Sequence, residues 1–211
     1  KKASYLLMAT RNGTIKKTEL AEYSNIRKSG IIAINLDDGD SLIDVKHTDG
    51  KQEVILATKN GLAIRFNEEQ IRVIGRSGKG VRGIRLNKDD ETIGMETVSA
   101  KDTVLIAAVN GYGKRTHIDD YRLQSRGGKG VINIKTTDRN GCVIGIKNVK
   151  DDSDIMLMTE KGIMIRMAAK GISVIGRNTQ GVRLIRLEEG DKLASIAYAA
   201  KEIENGDDKP A

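Results

Sequence analysis

The chain has 211 residues, which is enough for one large β domain or two ordinary domains. Its 36 basic and 29 acidic residues give a net charge of +7, which suits an anionic partner such as nucleic acid, although a soluble basic protein would have the same balance. Only 3% of the residues are aromatic, which argues against recognition by base stacking. The chain has a single cysteine, which argues against an internal disulfide or a thiolate metal cage. No apolar run approaches the roughly 20 residues that cross a bilayer, and no secretory leader is visible, so we predict a cytoplasmic protein without a membrane partner.

Two landmarks repeat along the chain with the same period. The first is a turn at Asn12-Gly13, Asn60-Gly61, Asn110-Gly111 and Lys161-Gly162, with spacings of 48, 50 and 51 residues. The second is a loop glycine at Gly30, Gly80, Gly130 and Gly181, with spacings of 50, 50 and 51 residues. The repeat predicts four units within a domain at 1–201, namely 3–51, 52–101, 102–152 and 153–201, followed by an acidic flexible tail at 202–211.

Each unit shows the same order of elements, and its apolar residues alternate with the period of β-strands. An apolar strand leads through the turn, interpreted as a two-residue hairpin, into a second strand that ends in cations. A polar connection, the glycine loop, a third strand, a polar turn and a fourth strand follow. The third strand alternates, since Ile34, Ile84, Ile134 and Ile185 are each followed by a polar residue. We predict an all-β, propeller-like fold of four four-stranded blades, with a β-solenoid as the alternative.

The cations recur at matching positions of the units. Those of the second strands are Lys16, Lys17, Arg65, Lys114, Arg115 and Arg166. Those of the loops are Arg27, Lys28, Arg76, Lys79, Arg126, Lys129 and Arg177, and those of the third strands are Arg85, Lys135 and Arg186. If the blades are arranged radially, these positions form a solvated belt that suits a long curved polyanion and contributes little to stability. The simpler alternative is that they only solubilise strand ends.

The residues that could carry catalysis are few and scattered. The two histidines, His47 and His117, lie in different units and have no neighbouring cysteine or paired carboxylate. The glycine loops lack the Gly-Lys-Ser/Thr ending of a nucleotide-binding P-loop. We predict no active site, metal or cofactor in this chain.

One loop carries a family motif. The stretch Gln124–Gly130 reads QSRGGKG and resembles the A-box, QRRGGKG, of the DNA gyrase A C-terminal domain, from which only Ser125 departs. The similarity extends to Gly111–Thr116 and Gly176–Val182 and covers essentially 3–200. It implies that Gln124, Arg126, Gly127, Gly128, Lys129 and Gly130 contact DNA.

The resemblance also implies a fold and a context. The family fold is the β-pinwheel, in which neighbouring blades exchange strands and duplex DNA wraps around a basic rim. The domain is a non-catalytic part of an ATP-dependent type II topoisomerase that introduces negative supercoils. Its partners would be duplex DNA, the rest of gyrase A and gyrase B in the bacterial cytoplasm, at the nucleoid, with ATP and Mg²⁺ used elsewhere in the holoenzyme.

The number of units departs from the family pattern. Family discs commonly have six blades, so the resemblance implies that these four are the last four of a longer domain. The first unit would then lack a partner strand, and we expect an exposed edge with self-pairing or disorder near residues 1–10. Two alternatives remain open, the related C-terminal domain of topoisomerase IV and a propeller that serves as a protein-interaction platform.

Overall fold

The computed structural model describes residues 3–199, which form strands and short 3-10 turns. The strands are β1 (Tyr5–Thr10), β2 (Thr14–Glu19), β3 (Leu42–Thr48), β4 (Glu53–Thr58), β5 (Leu62–Asn67), β6 (Val81–Arg82), β7 (Thr92–Val98), β8 (Thr103–Ala108), β9 (Tyr112–His117), β10 (Val131–Ile132), β11 (Val143–Val149), β12 (Asp154–Thr159), β13 (Met164–Ala168), β14 (Val182–Arg183) and β15 (Leu193–Tyr198). The 3-10 turns are Leu20–Tyr23, Glu68–Gln70, Ile118–Asp120 and Ala169–Gly171. The predicted all-β class is confirmed.

The strands form four sheets whose paired strands run antiparallel. The strand orders are β3-β1-β2-β6, β10-β5-β4-β7, β11-β8-β9-β14 and β13-β12-β15. In each four-stranded sheet one short outer strand comes from the following unit, so that β6 pairs with β2, β10 with β5 and β14 with β9. Neighbouring units therefore exchange strands, as the resemblance implied. The fourth sheet has three strands, not the predicted four.

The third strand of each unit is shorter than predicted. It pairs over two residues in the last three units, and the first unit has no strand between 31 and 36. The reason is that the next amides turn toward one carbonyl, since Asn133 and Ile134 both donate to Gly61 O, at 2.8 and 3.2 Å. The predicted alternation of faces is nevertheless present in the last three units. Ile84, Ile134 and Ile185 are buried, whereas Arg85, Lys135 and Arg186 are exposed.

The hairpin turns differ from the predicted two-residue type. Gly13 has φ +82° and donates to Thr10 O at 3.0 Å, and the equivalent glycines of the other units have the same geometry. Neither Asn12 nor any other non-glycine residue of these four turns has a positive φ. The turns are therefore three-residue loops in which a type I turn leads into a left-handed glycine, and Lys161 can replace the asparagine because only the glycine needs the unusual conformation.

The open sheet edge lies at the opposite end of the array from the one predicted. Tyr5–Thr10 is a central strand between β2 and β3, so the expected disorder there is wrong for the described residues. Residues 1–2 and the predicted tail at 202–211 lie outside them. The open edge is β13, because each sheet receives its short strand from the following unit and no described unit follows the fourth. The first unit instead contributes no short strand.

The hydrophobic core is divided among the contacts between neighbouring sheets. Each of three buried clusters joins residues of adjacent units, for example Ile55, Ile106 and Ile134 between the second and third. Burial of aliphatic surface stabilises each contact by about 25 cal/mol per Å². Each sheet is therefore held by its neighbours. Within residues 3–199 no helix is long and apolar enough to cross a membrane.

Candidate nucleic-acid interface

Five of the six second-strand cations are buried. Lys16 and Lys114 have no exposed surface, and Lys17, Arg65 and Arg115 are at most 7% exposed. The prediction that they lie on a solvated rim is therefore wrong. Their strands lie inside the sheets, covered by the following unit, which leaves no room for a phosphate.

These cations hold the next unit in place. The Arg65 guanidinium is oriented by the Glu53 carboxylate, 2.7 Å away, and donates from Nη1 to Ile118 O at 2.9 Å and Tyr121 O at 3.0 Å. Ile118 begins the 3-10 turn of the following unit, and Tyr121 is the residue directly after that turn. Lys17 donates to Glu68 O at 3.0 Å and Arg115 to Ala169 O at 3.1 Å in the same way. One cation per junction thus satisfies carbonyls that would otherwise be buried without partners.

The two fully buried lysines bind the glycine loop of the next unit. Lys114 Nζ donates to Gly176 O at 2.7 Å and to Arg177 O at 2.5 Å. Burial lowers the pKa of Lys114 to about 8, and the nearby Arg177 contributes to the lowering. Lys16 binds Ala33 O at 3.0 Å and the carbonyl of Arg76, and burial lowers its pKa as well. Both lysines position loops from beneath.

The loop arginines connect neighbouring units from outside. Arg76, Arg126 and Arg177 are half-buried. Each donates from Nη1 to the carbonyl of the second residue after the preceding unit's loop glycine, namely Ile32 (2.5 Å), Arg82 and Ile132 (2.6 Å). Part of each guanidinium is therefore committed to the protein, which sequence reasoning did not reveal.

The motif Gln124–Gly130 is shaped by close backbone contact. Gln124 is half-buried and its backbone amide donates to Arg65 O at 2.9 Å. Gly127 and Gly130 have φ of +82° and +78°, and a side chain at Gly130 would come closer than 3.0 Å to Ala63 O. Gly128 has no positive φ and ample space for a methyl group. Two of the three motif glycines are therefore required by the loop conformation itself.

Four other predicted cations are exposed, on the motif loop and on the segments that follow the loop glycines. We define the loop stripe as Arg85, Lys129, Lys135 and Arg186, all exposed and with no side-chain hydrogen bond or ion pair to another of residues 3–199. The backbone joins them across units, since Arg85 N donates to Gly128 O at 2.8 Å and Lys135 N donates to Thr179 O at 2.9 Å. The segments that carry Arg85 and Lys135 thus each lie against the glycine loop of the next unit. We call the resulting series of exposed cations a row.

The remaining predicted cations lie near the two ends of the array or are paired. Arg27 and Lys28 are exposed on the first unit's loop, and Lys79 is exposed but forms an ion pair with Asp37. Arg166 is exposed on β13 and forms an ion pair with Asp154 at 2.8 Å. Lys79 and Arg166 are thus each paired with a carboxylate.

Among the exposed arginines that sequence reasoning missed, two lie shortly after loop glycines. Arg82 and Arg183 each follow a loop glycine by two residues, beside the stripe, and are exposed. Arg183 also lies 5.7 Å from the centre of the Tyr112 ring. Their matching repeat positions were a signal that could have identified them.

The structure also places the residues that the sequence offered for metal binding or catalysis. Residues 3–199 contain no group of three potential metal ligands. His47 lies 2.7 Å from Ser4 Oγ in an exposed pair, far from His117 in sequence and in another unit.

The described residues thus combine exchanged β units with a basic row of loops. The family model described as "DNA gyrase C-terminal domain, beta-propeller" matches residues 4–49, 52–99, 102–150 and 153–199. The chain belongs to this family. The four matched segments each correspond to one unit and together span nearly the whole chain.

Named relatives agree with this assignment. The DNA gyrase A protein of Halalkalibacterium halodurans is 58% identical over 193 residues, and that of Salmonella typhimurium is 44% identical over 200 residues. The matches cover 92% and 95% of this chain, which spans only 23% of either relative.

Solved structures show the same architecture. The C-terminal domain of DNA topoisomerase IV matches with a TM-score of 0.88 and 29% identity over 93% of this chain and 62% of its own. A DNA gyrase A C-terminal domain matches with a TM-score of 0.85 and 28% identity over 94% and 66%. The chain is thus shorter than the solved domains of its family.

Proposed function

We propose that this chain wraps duplex DNA along the loop stripe, as a DNA-wrapping part of DNA gyrase. The observation that carries the proposal is the row of exposed cations Arg85, Lys129, Lys135 and Arg186, which recur in consecutive units. A row of this kind follows a curved phosphate backbone because one unit after another presents a positive charge. Bending the duplex around the units allows more of these contacts at once.

The contact is with the backbone and tolerates any sequence. Base stacking needs a set of exposed aromatic rings, and among residues 3–199 only Tyr198 is exposed, at 47%, whereas Phe66 and Tyr121 are buried. The cations are Lys and Arg on short loops, which reach phosphates without entering a groove. Affinity should therefore depend strongly on salt and weakly on sequence.

The wider role is inferred from the relatives. We infer that the chain contributes DNA binding and no active site, cofactor or metal of its own, while ATP and Mg²⁺ act elsewhere in a type II topoisomerase. Its partners would be duplex DNA, the rest of gyrase A and gyrase B, in the bacterial cytoplasm at the nucleoid. The proposed consequence is a positively crossed DNA segment whose passage introduces negative supercoils.

Wrapping is tested by DNA topology and salt dependence. The chain is bound to relaxed circular DNA, a type I topoisomerase removes the compensating supercoils, and the change in linking number is read on a gel. In the variant Arg85→Ala/Lys129→Ala/Lys135→Ala the linking-number change should largely disappear. The slope of log K against log salt should become shallower by up to about 2.7, at about 0.9 per lost phosphate contact.

A matched control removes the same charge elsewhere. Lys51, Lys101 and Lys150 are exposed in the turns that join the units, outside the stripe. Their triple alanine variant should keep most of the linking-number change. Equal losses in the two triple variants would show that net charge alone binds DNA, and no salt dependence in the wild type would favour a protein partner.

A further inference from the structure

The turn before the last strand of the third unit is wider than its equivalents. Strand β11 begins at Val143, 13 positions after the loop glycine Gly130, whereas β3, β7 and β15 each begin 12 positions after the loop glycine of their own unit. Gly141 N consequently donates to Thr137 O at 2.8 Å, four residues back, while the turns of the other units close over three residues. Arg139 lies in the middle of the wider turn and is exposed.

A buried asparagine fixes this turn in place. Asn140 has no exposed surface, and its Nδ2 donates to Lys135 O at 2.8 Å and to Gln180 O at 3.0 Å. Its Oδ1 accepts from Thr137 N at 2.8 Å. Gln180 directly precedes the loop glycine of the fourth unit, so the turn is tied to the segment that leads into β14. Because these bonds involve only the backbone and the Asn140 amide, the turn does not depend on the side chain of Arg139.

Two arginines meet at one tyrosine beside this turn. Tyr112 begins β9, and Arg183 of β14 pairs with it across the junction between the third and fourth units. Arg183 Nη2 donates to Tyr112 Oη at 3.2 Å, and the guanidinium carbon of Arg139 lies 4.8 Å from the centre of the same ring. Arg139 and then Arg183 lower the pKa of the Tyr112 phenol, because their donor groups stabilise the phenolate. We call Tyr112, Arg139 and Arg183 the arginine cluster.

The arginine cluster brings two positive charges to one neutral hydroxyl. Among residues 3–199 the side chains of Arg139 and Arg183 make polar contacts with Tyr112 only, and neither forms an ion pair. The buried Arg65, by contrast, has the Glu53 carboxylate 2.7 Å away. Like charges held close together repel each other, and an anion that contacts both relieves the repulsion. A phosphate is well suited to this position, because a guanidinium can donate two parallel hydrogen bonds to its oxygens.

The other two junctions between described units lack this combination. The residue pairs that correspond to Tyr112 with Arg183 are Thr14 with Arg82 and Leu62 with Ile132. The first pair has an arginine and no ring. The second pair has two apolar side chains, which line an open cavity of about 510 Å³. A contact made by the arginine cluster is thus confined to the junction between the third and fourth units.

The arginine cluster lies next to the loop stripe. Arg139 follows Lys135 by four residues, and Arg183 precedes Arg186 by three, so both arginines are carried by segments that also carry a stripe cation. Three or four residues span at most about 14 Å of chain. Duplex DNA carries a phosphate charge every ~1.7 Å along its axis. A duplex that follows the stripe across the third and fourth units therefore presents phosphates at the cluster as well.

We propose that Arg139 and Arg183 bind one phosphate group of a duplex that lies on the loop stripe, and that Tyr112 positions Arg183 for this contact. The inference rests on the proposed function, because it assumes that the duplex follows the stripe. Each stripe cation is a single charge, whereas the cluster directs two guanidiniums to one point. The duplex is therefore anchored more firmly at the junction between the third and fourth units than at the junctions before it.

A double-mutant cycle tests whether the two arginines share a phosphate. The affinity of the 211-residue chain for a short duplex is measured at one salt concentration for Arg139→Gln, Arg183→Gln and the double variant. Each single substitution should weaken binding about tenfold. The double variant should weaken it about 20-fold, and not the roughly 100-fold of independent sites, because neither arginine holds the phosphate well alone. Additive losses, or single variants that bind like the wild type, would overturn the proposal.

The matched control uses an arginine at the same repeat position in another junction. Arg82 is equivalent to Arg183 and is exposed, but Thr14 stands opposite it in place of the ring. The losses of Arg82→Gln and Arg139→Gln should be additive, because the two side chains belong to different junctions. Circular dichroism confirms that every variant is folded. Coupling as strong in this pair as between Arg139 and Arg183 would show a general effect of charge and would count against a shared site.

The positioning role of Tyr112 has a spectroscopic test. Tyr112→Phe keeps the ring but loses the hydroxyl, and should weaken duplex binding about threefold. In protein labelled with ¹³C at tyrosine Cζ, the signal that is missing from Tyr112→Phe identifies Tyr112. It should shift when duplex is bound, because the phosphate takes donors from the phenol, and an unmoved signal would overturn the proposal. A wild type that binds no duplex would overturn the proposed function too, whereas binding that depends on the stripe but not on the cluster would overturn this inference alone.

Discussion

The second strands and the loop stripe carry the same kind of residue in opposite surroundings. Arg65 is 7% exposed and donates to two backbone carbonyls of the next unit, whereas Arg85, twenty residues later, is exposed and its side chain forms no hydrogen bond or ion pair with another of residues 3–199. The first cation stabilises the array, and the second is available to a phosphate. A repeated cation therefore does not indicate DNA contact by itself, because its use depends on whether the neighbouring unit covers it.

The largest contrast is expected in stability. Arg65→Ala leaves Glu53 and the carbonyls of Ile118 and Tyr121 without their partner, and should lower the free energy of unfolding by about 3 kcal/mol. Arg85→Ala should change it by less than about 0.5 kcal/mol. Urea unfolding followed by circular dichroism measures both. Similar small changes in the two variants would show that the buried cation is dispensable for packing.

Two cations of the motif loop, three residues apart, should differ in role: one stabilises the packing of neighbouring units, and the other is available to DNA. Arg126→Ala loses the bond to Arg82 O and should reduce both stability, by about 1.5 kcal/mol, and DNA affinity. Lys129→Ala, on the exposed side of the same loop, should reduce affinity only. Thermal unfolding and a salt titration of DNA binding are compared for both variants. An Arg126→Ala protein of wild-type stability would contradict the connecting role.

Burial of Lys114 should appear as a pH dependence. Its folded pKa of about 8 is below the unfolded value of 10.5, so the unfolded chain binds more protons between these values and stability rises with pH there. The wild type should gain about 2 kcal/mol over Lys114→Met between pH 7 and pH 9.5. Lys129→Met, at an exposed lysine, should show no such change relative to the wild type. A pH-independent difference for Lys114→Met would mean that the lysine is not desolvated.

The smallest effect is expected where charge is added to the surface. Ser125 is exposed and takes the place of a motif arginine, so Ser125→Arg should tighten DNA binding and steepen the salt slope by about 0.9. Ser125→Gln is the uncharged control of similar length and should leave the slope unchanged. Equal effects of the two substitutions would point to packing of the loop instead of phosphate contact.

Repetition in the sequence was sufficient to predict the overall architecture. Strand periodicity and glycine spacing predict sheets in series, because the period of two and the turn glycines follow from backbone geometry alone. The exposed residues Arg85, Lys135 and Arg186 were also predictable, since they alternate with isoleucines. For the lysine of the second strand a signal was present and overlooked: Lys16 and Lys114 occupy the position of Ile64 and Ile165, which indicates a site facing the interior.

The packing of neighbouring units, which no local pattern records, determines which cations are exposed and which sheet edge is open among the described residues. Lys17, Arg65 and Arg115 follow the same pattern as surface cations, and their carbonyl acceptors lie more than fifty residues away in the next unit. The chain order places the short strand in one unit, while pairing assigns it to the sheet of the unit before. Burial and edge pairing are properties of the neighbouring unit's backbone. A local sequence pattern determines what a residue can do, and the packed neighbour determines which of those possibilities is used.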